Sequence, residues 1–303
     1  MTSKTKSVAK YVLALLLLAL ILYKTDIEKI GSYMRHISTL HLLGALLCMT
    51  IAQLISALRT RYFFQRSGYH LSHKFAVILF YVGTFYNFLL PGGIGGDAYK
   101  VMLSRKRFDM PTAKGIQIMV ADRASGLCIL LLFMYASLWG YNWTSAIPYH
   151  KPLLIAAAAL TLIGYTALSW ILLKQPAKTM LVSLHYSFSA QVFWVLTVWM
   201  LWRSLGNGHG FIDYATLYCA ASVAAMIPIS VGGLGIKESA YYYGATLLRH
   251  YTESSADGEL GISLSLCFFA LSFIACLPGV LWLHKIGRPE FAHSTGSPSA
   301  RSS

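Results

Sequence analysis

Two stretches combine residue types suited to holding an anion. Pro91-Gly-Gly-Ile-Gly-Gly-Asp97-Ala-Tyr-Lys100 is echoed by Pro228-Ile-Ser-Val-Gly-Gly-Leu-Gly-Ile-Lys237-Glu238. In each, a proline is followed by glycines around an aliphatic residue, then by an acid and a lysine. Gly92, Gly93, Gly95 and Gly96 in the first stretch, and Gly232, Gly233 and Gly235 in the second, resist burial in a helix interior, where each costs about 1 kcal/mol against alanine. Just before a helix they leave backbone N–H groups bare, a ready site for phosphate or carboxylate. Without side chains the backbone also lets a bulky headgroup approach closely. Lys100 and Lys237 add full positive charge, with Asp97 and Glu238 in pairing roles. The plainer reading is that these glycines let two hairpins pack tightly against other helices.

Asp122-Arg123 is the second feature. It lies about nine residues into an apolar stretch beginning near Lys114, so about 13 Å deep in a hydrocarbon core about 30 Å thick. A charge there costs on the order of 3 kcal/mol and requires a partner or water. Two compatible readings follow. One is an ion pair that locks helices, with Asp122 meeting Lys100 or Lys237. The other has Arg123 gripping a phosphate by its planar fork while Asp122 orients it. Asn87, Tyr81, Tyr86 and Tyr99 flank the first glycine stretch, and Tyr241, Tyr242 and Tyr243 follow the second. Interfacial anchoring and packing are the default roles of such tyrosines.

The elements that position these residues belong to a membrane protein. Hydrophobic residues make up 56% of the chain and charged residues 12%, where a soluble domain carries about a quarter charged. The mean hydropathy is +0.56, and apolar runs near twenty residues recur. The expected organisation is one polytopic domain over residues 1–285, with a Ser-, Pro- and Gly-rich cytoplasmic tail, 286–303, that is disordered. Nothing resembles a nucleophile with its base, so no catalytic residue and no enzyme activity are expected. The five cysteines all fall in apolar segments without a C-x-x-C pair, and the ten histidines lack ligand spacing; no metal and no cofactor are expected. The net charge of +14 fits a positive-inside bias or, for some of its members, a basic cavity for an anionic headgroup. Without a basic soluble domain, nucleic acid is not a partner.

Apolar runs place spans at 8–23, 40–57, 116–138, 153–173, 184–202 and 260–283. The glycine stretches end two further apolar segments, 75–90 and 214–229. If both segments cross the bilayer, lysines and arginines divide twelve to each side; if both enter and return, seventeen lie inside and seven outside, Arg123 apart. The orientation rule prefers the second scheme. The expected fold is therefore all-α and integral to the cytoplasmic membrane, with about six transmembrane helices, two re-entrant Gly-interrupted hairpins and both termini cytoplasmic. Each half, about 8–138 and 151–284, then crosses an odd number of times, so the halves form an inverted repeat, as in many transporters.

At these residues the chain resembles a known family. Asn87 followed by PGGIGGDAYK, DRASGL from Asp122 to Leu127, and IPISVGGLGIKES from Ile227 to Ser239 are similar to motifs of the lysylphosphatidylglycerol synthase transmembrane region, also called the flippase-like domain. The resemblance covers about residues 8–285. It implies a membrane region that moves a lipid across the bilayer. In the best-studied relatives that region is fused to a soluble aminoacyltransferase domain, which residues 1–303 do not contain, so no synthase activity is implied. Relatives without that domain connect to glycolipid, polyprenyl-linked sugar or hopanoid pathways. The implied partners are membrane lipids, anionic or polyprenyl-phosphate-linked, and a glycosyltransferase or lipid-modifying enzyme. The family motif often carries arginine where Lys100 stands. The alternative reading is a non-transporting lipid-binding or accessory membrane subunit.

Overall fold

A computed structural model describes residue 23 and residues 25–35, 37–89, 95–142, 149–206, 210–226 and 233–286. Gly92, Gly93 and Gly232, nearly all of the first expected span and the tail beyond Ile286 lie outside the described residues. Among the described residues all regular structure is helical: α1 (Ile27–Arg35), α2 (Thr39–Arg66), α3 (His73–Leu89), α4 (Gly95–Phe108), α5 (Thr112–Trp139), α6 (His150–Leu173), α7 (Ala177–Ser204), α8 (Phe211–Ala224), α9 (Ile236–Tyr251), α10 (Gly258–Cys276) and α11 (Pro278–Ile286).

Helices α2, α5, α6 and α7, and the stretch Gly258–Trp282 formed by α10 and the start of α11, are each long and apolar enough to cross a membrane. They coincide with five of the six expected spans. At about 1.5 Å per residue the 28 residues of α2, α5 and α7 reach about 42 Å, past a core of about 30 Å. The outward faces are apolar. On α6, Leu160 and Ile171 are each 71% exposed, which suits lipid and not water. The protein is an all-α integral membrane protein. Its most enclosed element is α10, which packs against α1, α2, α3, α7, α9 and α11.

The remaining long elements form two helical hairpins. In the first, α3 and α4 run antiparallel: Tyr86 stacks on Tyr99 at 4.4 Å, and a Cβ on Gly96 would lie 1.8 Å from the Gly83 carbonyl oxygen. Only glycine permits that approach. In the second, α8 and α9 meet where a Cβ on Gly244 would lie 2.5 Å from Leu217 Cδ2. None of these four helices exceeds 17 residues, about 26 Å.

The largest packing interface joins α2 to α7, and the two run antiparallel. Ser38 N–H donates to Ser204 O at 3.2 Å, Gly44 faces Met200, and Arg59 reaches Ser187 at 2.9 Å. This register sets Gln53 level with Gln191. Both amides are buried, and Gln53 Oε1 and Gln191 Nε2 have no hydrogen-bond partner among the described residues. Helices α2 and α7 have equal length, and α7 starts as far after α2 as α8 starts after α3. Contacts repeat under the same exchange: α5 touches α8 as α10 touches α3, and α5 touches α7 as α10 touches α2.

The helix ends sort by charge. One end gathers the α2–α3, α4–α5 and α6–α7 connections, tied together by Gln175 Nε2 donating to Arg66 O at 3.0 Å and by Arg107 lying 4.0 Å over the Phe75 ring. It carries Arg61, Arg66, Lys74, Arg105, Lys106, Arg107, Lys114, Lys174 and Lys178 against the single acid Asp109 among the described residues. The opposite end mixes the acids Asp26, Glu28, Asp213, Glu253, Asp257 and Glu259 with Lys29, Arg35, Lys151, Arg203 and Arg249. There Lys29 pairs with Asp257 at 2.7 Å, which fastens α1 to the start of α10.

Candidate functional site

The sequence around Asp122 explains itself locally. On α5, Asp122 accepts a forked pair of hydrogen bonds from Arg59 of α2, Nε at 2.9 Å and Nη2 at 3.3 Å. Arg59 Nη1 also donates to Ser187 of α7 at 2.9 Å. Both residues of the pair are buried. Gly126 makes room for the guanidinium, since a Cβ there would meet Arg59 Nη1 at 3.0 Å. Ser125 closes the turn by donating to Asp122 O at 2.8 Å. The partner of Asp122 is thus Arg59, not Lys100 or Lys237 as the sequence suggested: those lysines sit on the hairpins, while α2 passes beside α5.

Next along α5, Arg123 points the other way, to α4, and pairs through Nε with Asp97 Oδ2. Lys100, one turn on from Asp97, donates to its other oxygen at 3.4 Å. Asp97 and Lys100 are 9% and 5% exposed, whereas the Arg123 side chain is 44% exposed. Lys100 lies in the notch left by Gly83, where a Cβ would come within 2.4 Å of its Cε, and sits 4.7 Å over the Phe80 ring. Asp97 thus lies between two cations, Lys100 and Arg123, and cations in a low-dielectric site attract an anion.

The backbone amides expected to greet that anion are partly taken. Asn87 Oδ1 accepts from Gly96 N–H at 2.8 Å, and Glu238 Oε2 accepts from Gly235 N–H at 2.6 Å. Each bond satisfies one of the N–H groups that a helix start leaves over. Glu238 is 1% exposed and also accepts from Ser265 at 2.8 Å. Gly233 and Gly235 have φ of +83° and +82°, a region that glycine enters freely. Lys237 lies 5.0 Å over the Phe268 ring. Among the described residues, the amides of Gly96 and Gly235 are therefore not bare.

A cavity of about 610 Å³ opens beside Asp97 and Arg123, between α4 and α5. Val101, Met102, Ile116 and Met119 wall it, Arg105 and Thr112 stand at its far end, and Met226 reaches it from the foot of the second glycine stretch. Met102, Ile116 and Val120 are 48%, 52% and 41% exposed, so its flank faces the same surroundings as the lipid-facing helices. Of the expected site residues, Asp97, Lys100 and Arg123 come together, with Asn87 and Gly96 supporting the helix start. Lys237 and Glu238 do not line this cavity, and Asp122 serves the adjoining ion pair.

Sequence reading missed Arg59 and Arg105. A signal existed for each. Gln53, Ser56 and Thr60 mark a polar stripe at helical spacing on α2, and Arg59 lies beside it. Asp97, Val101 and Arg105 follow one another at i, i+4 and i+8 along the side of α4 that lines the cavity, which Lys106 and Arg107 do not line.

The family described as lysylphosphatidylglycerol synthase TM region matches the chain over residues 7–177. The matched part holds the first glycine stretch and Asp122-Arg123 and ends before the second glycine stretch. No curated protein matches the chain.

Proposed function

The chain belongs to the lysylphosphatidylglycerol synthase TM-region family, and from that premise we propose that it moves an anionic phospholipid or lipid-linked intermediate across the cytoplasmic membrane. The observation that carries this reading is the cavity between α4 and α5: apolar along its wall, open on the lipid side, with Arg123, Lys100 and Asp97 at its inner end. Acyl chains stay in lipid while the headgroup enters. Its phosphate takes the place of the Asp97 carboxylate on Arg123, a planar fork suited to such an oxyanion. Asp97 keeps Lys100 and stabilises the empty site, so the cations are never buried without a counter-ion. The protein acts as a transporter and not as an enzyme, and movement is passive or ion-coupled.

An inverted repeat would present this site alternately to the two leaflets. Its support is the pairing of α2 with α7. Two helices of equal length, equally placed in the two halves, lie antiparallel, which is what a two-fold axis in the membrane plane produces. Gln53 and Gln191 are level at that crossing and occupy corresponding positions, which is where such an axis would run. The short hairpins α3–α4 and α8–α9 are the re-entrant elements of that scheme. The basic end faces the cytoplasm by the orientation rule.

Crossing of labelled lipid in proteoliposomes tests the proposal. Phosphatidylglycerol is expected to equilibrate at least tenfold faster than in protein-free vesicles, and faster than phosphatidylcholine. Unchanged rates for every lipid, a polyprenyl phosphate included, would leave a lipid-binding accessory subunit as the better reading.

A further inference from the structure

Arg105, Lys106 and Arg107 are adjacent in the sequence, but the fold gives them different surroundings. Arg107 lies flat over the Phe75 ring at 4.0 Å. Lys106 is exposed. Arg105 alone lines the cavity, where Nη1 meets the Thr112 hydroxyl at 3.4 Å. A guanidinium carries five N–H donors in a fixed fork, and this contact uses one of them among the described residues. From Asp97 to Arg105 is eight residues of α4, about 12 Å, and the wall between is apolar.

Resting on the transport reading above, we propose that Arg105 is a second anion station and sets headgroup selectivity. The phosphate of an amphiphile binds first at Arg105, on the basic end of the molecule, and then passes along Val101, Ile116 and Met119 to Arg123. Two cations at opposite ends of the cavity, with an apolar, laterally open wall between them, match a molecule that carries its negative charge at one end and apolar chain behind it. Inorganic phosphate shares the charge but has nothing to lay against the wall. The step between stations breaks and forms only ionic hydrogen bonds: phosphate leaves Arg105, Asp97 leaves Arg123, and phosphate takes its place.

Binding is separable from transport, and the test uses that. Full-length protein in a zwitterionic detergent is titrated with phosphatidylglycerol, phosphatidylcholine or inorganic phosphate, and the shift in Tm gives the half-saturating concentration, because a ligand of the native state raises Tm by mass action. Arg105→Gln is expected to raise that concentration for phosphatidylglycerol about tenfold, with Lys106→Gln within twofold of wild type and Arg105→Lys between them. Inorganic phosphate is expected to give no shift. Equal losses in Arg105→Gln and Lys106→Gln would reduce the station to a diffuse patch and overturn the proposal. So would wild-type affinity in Arg105→Gln, no shift of wild type by phosphatidylglycerol, or a shift by inorganic phosphate alone. The liposome assay keeps the two ideas apart. Arg105-dependent binding without lipid crossing sinks the transport reading and leaves the station, while crossing with unchanged rate and selectivity in Arg105→Gln sinks the station only.

Discussion

Asp122 and Asp97 stand on neighbouring helices, and each holds an arginine, yet substitution should separate them sharply. Arg59 and Asp122 are buried together, so Asp122→Asn leaves a charge inside the membrane domain without its partner. A loss of about 3–5 kcal/mol is expected, visible as a lower Tm in detergent. Replacing both, Arg59→Met with Asp122→Leu, should recover most of it. Asp97→Asn is different, because Arg123 is partly exposed and an outside anion can replace the lost carboxylate. It should lower Tm less than Asp122→Asn does, with only the buried Lys100 losing its counter-ion, while lowering the half-saturating concentration of phosphatidylglycerol about tenfold, about 1.4 kcal/mol. If Asp97→Asn unfolds the protein as Asp122→Asn does, the acid is structural. The need of Asp122 for a partner was legible in the sequence, but the partner was not. Arg59 lies past the expected end of its span at residue 57, and only the continuation of α2 to Arg66 brings it level with Asp122.

At the scale of elements, the glycines divide by what surrounds them. Gly96→Ala puts a methyl carbon where the Gly83 carbonyl oxygen stands at 1.8 Å, and a backbone atom cannot swing aside. The α3–α4 hairpin must open, with loss of both folded protein and anion binding. Gly164 in the middle of α6 meets nothing within 4 Å, so Gly164→Ala should be neutral or stabilise by up to about 1 kcal/mol. A thermal melt of the two variants side by side decides between close packing and mere composition. The five long apolar helices were readable from hydropathy alone, because a helix apolar all round needs no knowledge of its neighbours. Which glycine faces a ligand and which faces another backbone depends on two helices meeting, and no single segment states that. At the end opposite the basic one, burial works to raise the Asp257 carboxyl, but hydrogen bonds with Glu259, Lys29 and Tyr33 outweigh it and hold the group below the usual carboxylate range. Its contribution to stability is therefore present above about pH 4 and is lost as pH falls through the depressed value. Hydrogen exchange in α1, corrected for intrinsic rates, should be faster in strong acid than at neutral pH. Lys29→Met should raise it at neutral pH.

For the whole molecule, the antiparallel pair α2–α7 is the largest packing interface, and the proposed orientation sets its basic end in the cytoplasm. Single cysteines at Lys106 and Lys178 should react with an impermeant reagent only from the cytoplasmic side of vesicles, and cysteines at Lys151 and Arg249 only from the other. Lys178 and Arg249 reacting from the same side would end the re-entrant scheme. The measurement that bears most directly on function is phosphatidylglycerol crossing by Arg123→Gln, reconstituted at the same density as wild type and with an unchanged Tm. The expected result is a fall of at least tenfold, toward the rate of protein-free vesicles, with Lys106→Gln as the unaffected control. A rate equal to wild type in folded Arg123→Gln protein would show that lipid crosses elsewhere and that the cavity between α4 and α5 is not the path.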